Sequence, residues 1–185
     1  MVYICKYESP LGSLTAASNG MALTGLWFDG QKYFGATLSE EREERELPVF
    51  AKTRDWLDLY FHGENPDFMP PLSLGGSDFK KAVWQILRQI PYGQTMTYGQ
   101  IAGQMAKQMG VEKMSAQAVG SAVARNPVSI LVPCHRVVGS NGSLTGYAGG
   151  VEKKEALLAL EKGADQNGFC TFTCPYRIQP AGRFK

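Results

Sequence analysis

Histidine and cysteine are scarce in this chain, which has two histidines and four cysteines among its 185 residues. Cys170 and Cys174 have the close spacing of metal ligands, but no second ligand pair accompanies them, and Cys5 and His62 are a weak supplement. Zinc sites need about four such ligands at characteristic spacing. We therefore expect no structural metal, and nothing in the chain calls for a cofactor.

Long apolar runs and low-complexity segments are also missing. No run reaches the roughly 20 apolar residues that a membrane-spanning helix needs. The first residues, MVYICKYESP, alternate and carry charge early, unlike a signal peptide. We therefore expect a cytoplasmic protein without a membrane partner, whose cysteines are reduced.

The charges are distributed unevenly along the chain. Residues 1–75 contain 6 basic and 11 acidic side chains, whereas residues 76–163 contain 10 basic and 5 acidic ones. A basic second half favours contact with a polyanion, although ordinary solvated surfaces can show a difference of this size.

The first half reads as strands followed by one helix. Strand-like residues 14–18 and 21–28 flank Asn19-Gly20, which predicts a two-residue hairpin turn. The charge run at 39–46 predicts a solvated helix or loop. Apolar residues at helical spacing predict a helix over 49–61, and the Pro/Gly-rich stretch 63–77 is the best candidate for a linker.

The second half reads as helical. An apolar stripe over 79–90 follows Ser77 as the expected N-cap, and Thr97 with Gln100 fits a capping box for a helix over 98–107. Ser115 is expected to cap a helix over 116–125, which completes a helix-turn-helix. The small residues of this last helix fit either tight helix packing or close approach to a nucleic-acid groove.

Cys134 and His135 are adjacent within an apolar segment and follow the rigid Pro133. A neighbouring imidazole can lower the pKa of a thiol or take its proton, which makes the sulfur nucleophilic. For an isolated pair, a buried structural cysteine beside a surface histidine would be the simpler interpretation. A reactive Cys134 also has to be accessible to its substrate.

A glycine-rich loop over 139–150 and a helix over 151–162 follow the cysteine segment. The loop can approach a ligand closely, because glycine adopts backbone conformations that other residues avoid. Glu161 shares the helix face of Leu157 and Leu158, so its carboxylate is either paired, with His135 as a candidate partner, or extends to the surface at the helix end.

Three segments together resemble the O6-alkylguanine-DNA alkyltransferases: IPYGQTMTYGQIA, AVGSAVARNPVSILVPCHRVVG and GSLTGYAGGVEKKEALLALE. The resemblance is strong over 78–163 and looser over 1–77. It implies an α+β fold with an N-terminal RNase H-like α/β domain (1–75) and a C-terminal, mainly helical domain with a helix-turn-helix (76–163), followed by a tail (164–185).

The resemblance also implies roles for individual residues. Cys134 would accept the alkyl group, His135 would act as a base through a bound water, and Glu161 would orient His135. Asn126 would fix the backbone, and Tyr98 would donate to the departing guanine. Binding to the minor groove of damaged double-stranded DNA by a monomer would involve Ser115, Gln117, Ala118, Ser121, Ala122 and Arg125, and the flipped base would be enclosed by Pro133, Val137, Tyr147, Ala148 and Gly149.

The chain departs from the family at Gln117, where an arginine commonly fills the gap left by the extruded base. Glutamine can still hydrogen-bond the orphaned base but lacks the charge. Transfer of an alkyl group to Cys134 would produce a thioether, which has no electrophilic carbonyl for water to attack. The chemistry therefore predicts a single turnover per molecule. The interpretation as a papain-like protease lacks support, since such a site brings together a cysteine and a histidine from distant parts of the chain and the only other histidine is His62. The interpretation as a non-catalytic DNA-binding module would require Cys134 to be unreactive.

Overall fold

A computed structural model describes residues 1–163 of the chain. Its first half is a four-stranded sheet with one helix packed on it. The strands are β1 (Val2–Ser9), β2 (Gly12–Ser18), β3 (Leu23–Phe28) and β4 (Arg42–Glu44), in the order β3-β2-β1-β4. The first three pair antiparallel and β4 joins β1 in parallel. Helix α1 (Pro48–Phe61) matches the predicted helix.

Two predictions for this half are wrong. The β2–β3 connection is a four-residue turn, because the Asn19 side-chain oxygen accepts from the amides of Met21 and Ala22 instead of the backbone forming a two-residue turn. Part of the charge run forms strand β4, whose three residues are exposed. An edge strand tolerates charged side chains on both faces, so β4 lacks the alternation of apolar and polar residues from which a strand is predicted.

The second half consists of helices α2 (Asp78–Leu87), α3 (Tyr98–Met109), α4 (Ala116–Ala124) and α5 (Val151–Glu161), with a small parallel pair of strands, β5 (Met96–Thr97) and β6 (Val137–Val138). The predicted caps are confirmed: Ser77 and Ser115 accept from Lys80 and Ala118, and Thr97 forms the full capping box with Gln100. Gly110 ends α3 at φ +65°, which glycine adopts without strain.

The two halves share one hydrophobic core. Buried side chains of the sheet and α1 join those of α2, α3 and α4 in a single cluster that also contains Cys134. Backbone bonds reinforce this union, since the amide of Leu26 in β3 donates to Pro127 and the amide of Ser129 donates back to Leu26. The mixed α+β class is therefore confirmed. Within residues 1–163, no helix is long and apolar enough to cross a membrane.

Candidate active site

Cys134 begins a short 3₁₀ turn, Cys134–Arg136, directly before β6. Its side chain is buried, with 6% of the residue exposed. Burial raises the pKa of the Cys134 thiol, so the sulfur rests as a protonated thiol near neutral pH. The expectation of an accessible sulfur is wrong for this conformation, and so is a resting pKa lowered by the neighbouring imidazole. Proton removal by a base is the remaining route to a thiolate.

Asn126 holds the backbone that leads to Cys134. Its amide nitrogen donates to the carbonyls of Val132 (2.8 Å) and Val128 (3.1 Å) and lies 3.2 Å from the Cys134 sulfur. Its side-chain oxygen accepts from the Val128 amide. The enclosed loop contains Ile130 at φ +70°, a strained conformation for a β-branched residue. Asn126 thus stabilises a strained turn and also contacts the sulfur.

His135 and Glu161 form a fully buried pair, with Nε2 of the imidazole 2.6 Å from Oε1 of the carboxylate. Burial lowers the pKa of His135 below its ordinary value, despite the opposing effect of Glu161. The imidazole is therefore neutral at pH 7. Because the carboxylate accepts at Nε2, the ring proton lies there and Nδ1 carries the lone pair. Nδ1 is buried without a hydrogen-bond partner among the described residues, which leaves it free to accept a proton.

The Glu161 carboxylate is surrounded by donors. Arg136 donates from Nε (2.8 Å) and Nη2 (3.0 Å), the Gly93 amide donates at 3.2 Å, and the Tyr60 hydroxyl donates at 2.7 Å. Burial raises the pKa of Glu161, but hydrogen bonds from His135 and Arg136 outweigh it and lower that pKa to about 2. Of the two alternatives for Glu161, pairing is therefore correct, and the surface position is not.

Tyr98 begins α3 and reaches across to the glycine-rich loop, where its hydroxyl donates to the Thr145 carbonyl at 3.1 Å. Burial raises the pKa of Tyr98, so its hydroxyl keeps its proton and can act as a donor. The Lys154 ammonium donates to the same carbonyl at 2.9 Å. Gly146 adopts φ +72° here, and a Cβ added to it would lie 3.0 Å from the Tyr98 hydroxyl. The loop is therefore held against Tyr98.

The predicted pocket residues are buried or half-buried. Pro133, Val137 and Tyr147 are buried, and Ala148 and Gly149 are half-buried. A further bond joins the two halves of the molecule here, because the Lys32 amide donates to the Ala148 carbonyl at 3.1 Å.

Helix α4 has one packed and one exposed face, so tight packing accounts for only some of its small residues. Ala122 is 2% exposed, and its carbonyl accepts from the indole nitrogen of Trp84 at 2.9 Å. Its methyl group is therefore unavailable to DNA, contrary to the expectation, because the periodicity of the helix directs it into the core. The other predicted DNA contacts are exposed: Ser115, Gln117, Ala118, Ser121 and Arg125. The Arg125 guanidinium lies 4.7 Å from the centre of the Tyr33 ring.

Three residues of the site were missed from the sequence: Tyr60, Arg136 and Lys154. Lys154 lies three, four and seven residues before Leu157, Leu158 and Glu161, so helical spacing could have placed it on their buried face. Arg136 directly follows His135 and reads as an ordinary surface cation. Tyr60 is 75 residues from His135 in the chain, and periodicity predicted its burial but not the partner of its hydroxyl.

The described residues contain no cluster of three or more His, Cys, Asp or Glu side chains able to hold a metal ion. Cys170 and Cys174 lie outside the described range. The described part of the site contains a buried thiol, a neutral imidazole with a free lone pair, and a carboxylate fixed by several donors.

Comparison with known proteins shows which family this chain resembles. Residues 2–74 match the family model for the ribonuclease-like domain of 6-O-methylguanine DNA methyltransferase, and residues 78–163 match its DNA-binding domain. Proteins named methylated-DNA–protein-cysteine methyltransferase are similar to this chain. That of Mycobacterium bovis is 43% identical over 88% of this chain and 93% of its own length, and that of Haemophilus influenzae is 41% identical over 87% of each.

Solved structures give the same result. The crystal structure of Mycobacterium tuberculosis OGT in complex with DNA is 42% identical, covers 86% of this chain and 92% of that one, and superimposes with a TM-score of 0.75. The structure described as M. tuberculosis O6-methylguanine methyltransferase gives a TM-score of 0.73 at 42% identity, covering 88% of this chain and 93% of that one. By sequence and by fold, this chain belongs to the 6-O-methylguanine DNA methyltransferase family.

Proposed function

We propose that this protein repairs DNA by transferring an alkyl group from O6 of guanine to the sulfur of Cys134, once per molecule. Two observations carry this proposal: the Asn126 amide lies 3.2 Å from that sulfur, and the next residue along the chain, His135, has a neutral imidazole that Glu161 fixes. A thiol without a base would be inert at this depth, whereas here the imidazole has a free lone pair at Nδ1.

The reaction is an in-line displacement at the alkyl carbon. His135 takes the thiol proton at Nδ1 through a bound water, and the thiolate attacks as the bond between carbon and O6 breaks. Tyr98 exchanges its bond to the Thr145 carbonyl for one to the departing guanine, whose negative charge it stabilises. The Asn126 amide, already directed at the sulfur, positions the nucleophile.

The product is a thioether, and this explains why one molecule repairs one lesion. Water has no electrophilic carbonyl to attack in S-alkylcysteine, and among the described residues no second nucleophile lies beside Cys134. The protein is thus consumed as it acts. O4-alkylthymine presents a similar alkyl ether and is a second candidate substrate.

A DNA-binding domain is present in the second half of the chain. We assign contact with the minor groove of alkylated double-stranded DNA to the exposed face of α4, formed by Ser115, Gln117, Ala118, Ser121 and Arg125, and omit the buried Ala122. The base would enter a pocket formed by Pro133, Val137, Tyr147, Ala148 and Gly149. We further propose that the protein acts as a cytoplasmic monomer, with residues 1–75 supporting an alkyl-accepting unit over 76–163.

The deciding experiment is mass spectrometry of the protein after incubation with a duplex that contains one O6-methylguanine. We expect one added methyl group, located on the peptide that contains Cys134. Cys134→Ala should stay unmodified while still binding the duplex, and Cys5→Ala, which removes a half-buried thiol elsewhere, should be methylated normally. Absence of any transfer to the native protein, with binding intact, would support the non-catalytic alternative and refute our proposal.

A further inference from the structure

Tyr60 belongs to the first half of the chain, yet its hydroxyl reaches the buried acid–base pair of the second half. This hydroxyl donates to Oε1 of Glu161 at 2.7 Å and lies 3.3 Å from Nε2 of His135. We propose that Tyr60 is a positioning residue for alkyl transfer, through which the first half of the chain fixes Glu161 and sets the basicity of His135. This inference deepens the function proposed above and rests on it.

The Tyr60 side chain is itself held rigidly. It is fully buried, it stacks on Trp56 at 5.2 Å in the preceding turn of α1, and the ring of Tyr92 meets it edge-on at 6.1 Å. The His135 ring packs against it as well, with ring centres 6.4 Å apart and planes inclined by 71°. A hydroxyl held this firmly offers its proton in one direction, towards the carboxylate.

Charge balance gives this bond its effect on His135. The groups that act on the imidazole are Glu161 and Lys154 from α5, Arg136 from its own turn and Tyr60 from α1. The positive charge of Arg136 offsets the negative charge of Glu161. The carboxylate therefore does not keep His135 protonated at neutral pH. Each donor to Oε1 weakens the attraction of that oxygen for the Nε2 proton. Tyr60 is one of these donors, and its removal should make His135 more basic.

The experiment compares Tyr60→Phe with Tyr7→Phe. Tyr7 is a matched control, because its hydroxyl likewise donates to a carboxylate at 2.7 Å, here that of Asp58 in α1, away from the acid–base pair. The single-turnover rate of methyl transfer should fall about tenfold in Tyr60→Phe, as expected for one lost hydrogen bond to a charged group. Tyr7→Phe should stay near the native rate.

A titration of His135 by nitrogen-15 NMR separates positioning from a purely structural role. The chain has only two histidines, so the exposed His62 serves as an internal reference, and a His62→Gln variant assigns the signals. We expect the native spectrum to show a proton on Nε2 and a bare Nδ1. In Tyr60→Phe the pKa of His135 should rise, and the acid limb of the rate profile should move to higher pH with it.

Two results would overturn this inference: a native rate in Tyr60→Phe, or a slower rate without any change in the His135 titration. The titration needs no alkylated DNA, so it tests Tyr60 even if the native protein accepts no methyl group and the proposed function fails. If Tyr60→Phe does not fold, 3-fluorotyrosine at position 60 keeps the ring and makes the hydroxyl a stronger donor. The pKa of His135 should then fall, and an unchanged titration would refute the proposal.

Discussion

Oε1 of Glu161 accepts a hydrogen bond from Tyr60 and another from His135, at 2.7 and 2.6 Å, so one oxygen joins the first half of the chain to the residue beside Cys134. Both side chains that flank this oxygen are fully buried. The polar groups of the site therefore depend on one another, and removal of one leaves others unpaired in a medium that does not solvate them.

Glu161→Gln should destabilise the protein by about 3–5 kcal/mol, because it leaves Arg136 buried without its counter-charge. Urea unfolding followed by tryptophan fluorescence would measure this loss. Glu155→Gln is the control, since Glu155 lies on the same helix but is exposed, and it should be nearly neutral. Equal midpoints for the two variants would show that the buried pair adds nothing.

The free energy of unfolding should decrease on both sides of neutral pH. The pKa values of Glu161 and His135 are lowered in the folded state, so the unfolded chain binds more protons, and stability falls below about pH 6.5 and further below about 4.5. The pKa of Cys134 is raised, so the unfolded chain loses that proton first and stability also falls above about pH 9. Denaturant titrations from pH 3 to 10 would test this, and a profile that is flat between pH 4 and 6.5 would contradict it.

Asn126→Ala should cost about 2 kcal/mol or more, because two carbonyls and one amide of the strained turn lose their partner at once. Methyl transfer should slow as well, since the Cys134 sulfur loses the donor that lies 3.2 Å from it. Thermal unfolding and single-turnover rates measure the two effects. Asn65→Ala, at an exposed position, should leave both unchanged.

Tyr98→Phe should slow methyl transfer by roughly a hundredfold, the usual cost of removing a donor that stabilises developing negative charge. Affinity for the duplex should change little, so quenched single-turnover assays at saturating protein are the appropriate measurement. Tyr3→Phe serves as a control far along the chain. A rate within twofold of native would remove Tyr98 from the reaction.

Gln117→Arg should strengthen DNA binding and make its salt dependence steeper, because each added phosphate contact releases about one counterion, a slope change of about 0.9. Fluorescence anisotropy at several salt concentrations would measure the slope. Gln89→Arg adds the same charge at an exposed position just after α2 and should change the slope less. Identical slopes in both variants would indicate a general charge effect and count against Gln117 at the groove.

Local rules predicted much of this molecule. The caps at Ser77, Thr97 and Ser115 follow from side-chain chemistry within three residues, and the structure reproduces each of them. Local rules failed where a neighbour decided the outcome. The Asn19 side chain accepts backbone hydrogen bonds and so sets the turn, and β4 forms because it pairs with the edge of β1. Neither interaction can be predicted from the hydrophobic periodicity of these segments.

The site divides in the same way. Cys134 and His135 stand next to each other in the sequence, and helix spacing placed Glu161 on a buried face. The depth of Cys134 was not predictable, because it results from long-range packing in the core that both halves of the chain share. The role of Tyr60 was not predictable either, because its hydroxyl donates to a residue 101 positions away and a single sequence does not reveal such a contact.

The backbone bonds between β3 and residues 127–129 have a consequence for the isolated first half of the chain. Strand β3 is an edge of its sheet, and its outer side is occupied by Leu72 and Val128 through isolated bridges. A fragment truncated after residue 75 would lose the bridge to Val128. Backbone amides of β3 would then be unpaired and exposed beside apolar side chains. Such a fragment should associate with copies of itself through that bare edge, so the two halves are best expressed as one polypeptide.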